Sequence, residues 1–166
     1  PGESIASYST APITGTVECW DVTLEGGNGS IYHYGNNSRG YLSLVINPAT
    51  SISIKSNDGS EFELKSFTSR WYSFSGSYTL TGYKDGVAQG SSSATVSETG
   101  SFFLTDISAS TAFDDIDEFV LTGFGSSNVT LQLDDIVIGD VNDGSSPIIN
   151  TSTASSVFSI EATLNG

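Results

Sequence analysis

The sequence predicts an all-β protein, an antiparallel β-sandwich (jelly roll), and three features carry that prediction. Apolar residues recur at spacing two along the chain, the period of a strand with one face toward a core. No stretch of helical length shows a 3.6-residue period. The apolar runs are cut by turn chemistry, including Asn57-Asp58-Gly59 and Lys84-Asp85-Gly86, and Asp-Gly supplies the positive φ that a tight hairpin needs. About ten short strands separated in this way are the pattern of a two-layered antiparallel fold.

In chain order, the first strand is expected over Val17–Leu24, ending at Gly26-Gly27-Asn28-Gly29. Tyr41–Ile46 and Ser51–Lys55 follow, the second running into Asn57-Asp58-Gly59. Glu61–Phe67 and Ser77–Tyr83 come next, then Lys84-Asp85-Gly86, Ala94–Ser97 and Phe102–Ile107. A short helical turn is expected over Ser110–Asp115. Ile116–Thr122 stops at the polar stretch from Gly123 to Asn128, and Val129–Ile138 is the last strong strand. Asp140 to Pro147 reads as a linker or long loop. Beyond it, Val157–Leu164 resumes the alternation, either as a closing strand of the same domain, the preferred reading, or as the start of the next module.

The Val129–Ile138 strand changes phase. Val129, Leu131 and Leu133 share one parity, whereas Ile136 and Ile138 share the other. A β-bulge at Asp134-Asp135 adds one residue and returns both sets to the same face. Two carboxylates at such a kink suggest a bound cation, against the simpler reading of a strand end with two solvated aspartates.

Length and composition bound the function. At 166 residues the chain suits one domain. Nine Phe, seven Tyr and two Trp help to supply its core. One cysteine allows no internal disulfide, and nothing suggests a zinc site. The lack of methionine and the Pro-Gly start predict a piece excised from a longer protein, with no signal peptide and no membrane-spanning run. Five basic residues against nineteen acidic ones give a net charge of −14, which argues against a nucleic-acid groove and an anionic membrane surface. Such acidity with abundant Ser, Thr and Gly fits a secreted or cell-surface module in millimolar calcium.

Four pieces stand in a recognisable order: Asn57-Asp58-Gly59 leading to Phe62-Glu63-Leu64-Lys65-Ser66, Leu80 to Gly86 with its second Asp-Gly turn, Phe113 to Leu121, and Leu133-Asp134-Asp135-Ile136. That order, over about residues 51 to 138, resembles the galactose-binding-like jelly-roll modules of bacterial surface proteins, adhesins and polysaccharide-degrading enzymes, many of them carbohydrate-binding modules. The resemblance implies a sandwich stabilised by structural calcium, with Asp134 or Asp135 as a ligand joined by an acidic residue of the first strand, where Glu18 stands. It also implies that loops at one end, or one sheet face, take the ligand; the fold does not name that ligand.

Two stretches are candidate recognition loops. Ser69-Arg70-Trp71-Tyr72-Ser73-Phe74 offers flat rings for the C–H face of a sugar and a guanidinium for a hydroxyl or carboxylate. The alternative is that Trp71 or Phe74 folds back to cap the sandwich. Ile31 to Gly40 holds Tyr32, His33, Tyr34, two amides and Arg39 between glycine-rich turns. Its alternative is a hairpin with Tyr32 and Tyr34 on one face and His33 on the other. Trp20 is read as packing and Cys19 as a buried small hydrophobe. Phe113 to Phe119 concentrates four carboxylates, by default a solvated strand entry with calcium as the other reading. With one histidine and no nucleophile elbow, catalysis has little support. The expected function is a calcium-stabilised, non-catalytic extracellular module that binds carbohydrate, a monomeric unit of a larger chain. A peptide- or protein-terminus-binding adhesin domain, a structural spacer and a polysaccharide hydrolase or lyase are the alternatives.

Overall fold

The computed structural model describes residues 3–141 except 18, 37–38, 73, 98–100 and 126–127. Glu18, most of the expected 140–147 linker and the expected strand over 157–164 lie outside the described residues. Ten strands follow in order: β1 (Glu3–Thr10), β2 (Ile13–Val17), β3 (Trp20–Asn36), β4 (Arg39–Ser56), β5 (Glu63–Tyr72), β6 (Gly76–Lys84), β7 (Val87–Val96), β8 (Phe103–Asp106), β9 (Glu118–Thr122) and β10 (Val129–Gly139). Among the described residues a 3-10 turn over Thr111–Phe113 falls inside the expected helical segment. All the strand pairings are antiparallel.

β3 and β4 organise the molecule, because each runs through both layers. The first half of β4 pairs with β10, from Leu42↔Leu133 to Ile46↔Val129. Its second half pairs with β9, from Ser51↔Thr122 to Lys55↔Glu118. β3 accompanies β4 along both halves. Sheet one is therefore β2-β3-β4-β9-β6-β7, and sheet two is β1-β3-β4-β10-β5-β8, joined where the two long strands turn the corner. Val22, Leu24, Ile52, Ile54, Phe119 and Leu121 of sheet one are buried, as are Ile31, Leu44, Phe67, Trp71, Leu131 and Leu133 of sheet two. Phe67 and Phe119 stack across the gap, with ring centroids 6.0 Å apart and planes 17° apart. The fold is the expected antiparallel sandwich.

The corner explains why the sequence misplaces two breaks. Gly26 to Gly29 is not a turn between strands but a bend inside β3, marked by a register shift between Glu25 and Gly26. Gly26 adopts φ +134, and a Cβ there would lie 2.0 Å from the Pro48 carbonyl oxygen. At Gly27 it would lie 1.9 Å from the carbonyl of Asn47. Only glycine allows the two backbones to cross the corner so closely. Likewise the expected strands Tyr41–Ile46 and Ser51–Lys55 are two halves of β4. Val17–Leu24, by contrast, contains a hairpin, since Val17 pairs with Trp20.

The two Asp-Gly turns behave differently. Asp85 (φ 51) and Gly86 (φ 75) close the expected β6–β7 hairpin. Asn57-Asp58-Gly59 is a turn but not a hairpin, because β4 and β5 are not neighbours; the chain passes to the other sheet there. Asp58 secures that crossing by accepting hydrogen bonds from Ser56 Oγ, Ser60 Oγ and Ser60 N.

Candidate functional site

Strand alternation sorts the expected ligand residues. In β5, Phe67, Ser69 and Trp71 are buried, so Thr68, Arg70 and Tyr72 lie on the outer face of sheet two. In β10, Leu131 and Leu133 point inward, leaving Thr130 and Gln132 outside. In β3, Ile31 is buried and Tyr32 stands on the outer side. Register then aligns them: Tyr32↔Ser43, Ser43↔Gln132 and Gln132↔Arg70 form one row across four strands. Three interstrand steps make that row roughly 14 Å long. Thus Tyr32, Arg70 and Tyr72, from two stretches far apart in sequence, share a face.

Arg70 is the centre of this surface. Its guanidinium carbon lies 4.8 Å from the Tyr72 ring centroid and 5.8 Å from that of Phe102, which precedes β8. Phe102 is 43% exposed, and Leu104 and Val137 on the same side are also exposed. The face therefore combines rings, a fixed cation and amide and hydroxyl groups. Gln132 and Phe102 were not singled out from the sequence. For Gln132 the available signal was parity, since it stands out of phase with buried Leu131 and Leu133; Phe102 has no buried neighbour to mark it.

Other expected site residues fall elsewhere. Trp71 is fully buried and offers no ring to a ligand; it packs against Phe74, Tyr78 and Phe124 at centroid distances of 5.3, 5.0 and 5.8 Å. Its indole N–H donates to Ser69 Oγ at 2.9 Å, so the polar edge is satisfied inside the core. The fold-back alternative is the one realised, for Trp71 and Phe74 alike. His33 takes the opposite parity to Tyr32 and pairs with Leu42. Tyr34 and Arg39 belong to the β3–β4 hairpin, where they pair with Tyr41 and Asn36; their side chains lie outside the described residues.

The bulge forms where the phase break places it. Asp134 pairs with Thr68 and Val137 with Ser66, so β10 spends three residues against two of β5. Asp135 takes up the extra residue at φ 48. Asp134 Oδ1 accepts the Asp135 N–H at 2.9 Å, and Thr68 Oγ1 donates to the Asp134 carbonyl at 2.9 Å. Ile136 then packs against the core, but Ile138 remains 47% exposed at the rim. Calcium takes six to eight oxygen ligands, more than this pair supplies. Among the described residues no three His, Cys, Asp or Glu side chains come together as a metal site, and Glu18 lies outside them.

In the four-carboxylate stretch, lysines meet Asp115 and Asp117, and Ser53 Oγ donates to Glu118. Lys84 Nζ contacts Asp115 at 2.5 Å and Glu61 at 2.8 Å, and Lys55 Nζ lies 3.5 Å from Asp117. The hydrogen bond from Lys84 to Asp115 foremost, then that to Glu61, raises the lysine pKa well above its ordinary range. Close by, Cys19, Trp20, Phe62 and Ile138 line a concavity of 280 Å³. Trp20 stands edge-on to Phe62 there, with centroids 5.1 Å apart, and Cys19 is exposed rather than buried.

Comparison with known proteins adds a limited likeness. No protein-family model and no curated protein matches the chain. Among solved structures it is similar to a mutant of CBM29-2, a family 29 carbohydrate-binding module, at 13% identity with a TM-score of 0.49, over 89% of this chain and 99% of that one. A second mutant of that module, complexed with mannohexaose, gives the same values, and a third gives 14% identity and a TM-score of 0.47 over the same shares. Backbones superposed this loosely do not carry side-chain positions across.

Proposed function

We propose that the chain is a non-catalytic, extracellular glycan-binding module that takes its ligand across the outer face of sheet two. The observation behind this reading is the convergence of Tyr32, Gln132, Arg70, Tyr72 and Phe102 on that face. Sugar rings present C–H faces that pack on aromatic rings and hydroxyls that seek amide and guanidinium groups. A row longer than one sugar ring suits an oligosaccharide rather than a monosaccharide. Apart from Phe102, which precedes β8, the recognition groups sit on strands, not on the loops expected from sequence, so they are held in place before the ligand arrives.

A glycan array followed by calorimetry tests the reading. A bound oligosaccharide should lose about tenfold in affinity on Tyr72→Ala, as for a central aromatic contact. Thr81→Ala, on the outer face of sheet one, should leave affinity unchanged. Binding that ignores Tyr72→Ala and Gln132→Ala would remove this face from the account, and silence on the array would favour a spacer. Running the assay in calcium and in chelator tests the expected calcium: a fall in both affinity and melting temperature with chelator would support an ion involving Glu18, Asp134 or Asp135, and no change would oppose it.

A further inference from the structure

Resting on that reading, we infer that the glycan carries an anionic substituent, a carboxylate or a sulfate, received by Arg70. The described basic side chains divide into two kinds. Lys55, Lys65 and Lys84 each pair with a carboxylate, whereas Arg70 forms no ion pair among the described residues. In a chain with nineteen acidic residues, a guanidinium without such a partner is a departure that needs a cause. Its Nε is buried with no hydrogen-bond partner, and what holds the group is the pair of rings of Tyr72 and Phe102. A cation placed by π contacts keeps its planar fork of donors free of internal acceptors, the arrangement that receives a carboxylate or sulfate bidentately.

The overall charge of −14 does not defeat this. Asp134, which pairs with Thr68 two residues along β5 from Arg70 (roughly 7 Å at strand rise), turns its Oδ1 to the Asp135 N–H and makes no ion pair with the guanidinium. Gln132, directly across from Arg70 in the ladder, adds an amide donor to the same acceptor.

The test compares three soluble probes with the intact protein: an oligogalacturonide, its carboxyl-reduced neutral counterpart, and a sulfated neutral oligosaccharide. The inference predicts that one or both anionic probes bind roughly tenfold or more tighter than the neutral one, with affinity falling as salt rises. Which anionic probe wins tells carboxylate from sulfate. Arg70→Gln should abolish the preference by weakening the anionic probes more than the neutral one, and Arg70→Lys, which keeps the charge but not the fork, should restore it only in part. Melting curves of both variants check folding, and the wild-type comparison of the three probes needs no variant. Equal affinity for neutral and anionic probes overturns the inference and leaves glycan binding standing. If no oligosaccharide binds but a peptide with a free C-terminal carboxylate does, both the inference and the glycan reading fall.

Discussion

At the scale of single residues, three positions show how one side chain decides local structure. Gly27 sits where β3 crosses β4, and a Cβ would collide with the Asn47 carbonyl, which cannot move without breaking the ladder. Gly27→Ala should therefore cost about 1–3 kcal/mol, measured by chemical denaturation. Trp71 fills the core among Phe74, Tyr78 and Phe124, so Trp71→Ala should cost about 3–5 kcal/mol through the cavity it leaves. Asp58 is the acid-sensitive member. Hydrogen bonds from Ser56 first, then Ser60, lower its pKa from 3.8 to about 2. Since the folded value is the depressed one, its contribution is complete above about pH 4 and is lost as pH falls toward 2. Asp58→Asn should flatten the stability profile within that window, and an unchanged slope would show that the turn gains nothing from the charge.

At the scale of elements, the bulge in β10 was legible from parity alone, because Val129, Leu131 and Leu133 cannot share a straight strand face with Ile136 and Ile138. The register confirms one extra residue at Asp134-Asp135. Its hydrogen bonds account for the geometry, and the left-handed φ of Asp135 is one that aspartate tolerates. Asp135→Val should lose roughly 1–2 kcal/mol, whereas Asp135→Gly should be neutral or slightly stabilising. The corner was not legible in the same way. Gly26-Gly27-Asn28-Gly29 and Asn47-Pro48 have turn composition, and one chain segment does not reveal that a second backbone passes within contact distance. β1 was missed because its Ser-rich sequence shows no clean alternation, and β7 was shortened for the same reason.

At the scale of the whole molecule, the two layers separate the chemistry. Charged groups gather at the end that holds Asp58, Glu61, Lys84 and Asp114 to Glu118, where lysines tie strands together. The outer face of sheet two holds the rings, the amide and the arginine without an ion pair, with Asp134 opposite Thr68 as its neighbouring carboxylate. The sequence marked Tyr32, Arg70 and Tyr72 but could not place them together, since that depends on β4 and β10 lying between β3 and β5. The most direct test of this division is to map, by NMR, which backbone amides shift when a bound oligosaccharide is titrated in. Binding across the outer face of sheet two would concentrate shifts in β5, β10 and the sheet-two half of β3 and β4, around Tyr32, Arg70, Tyr72 and Gln132. Shifts confined to sheet one, or to the concavity beside Trp20 and Phe62, would contradict it.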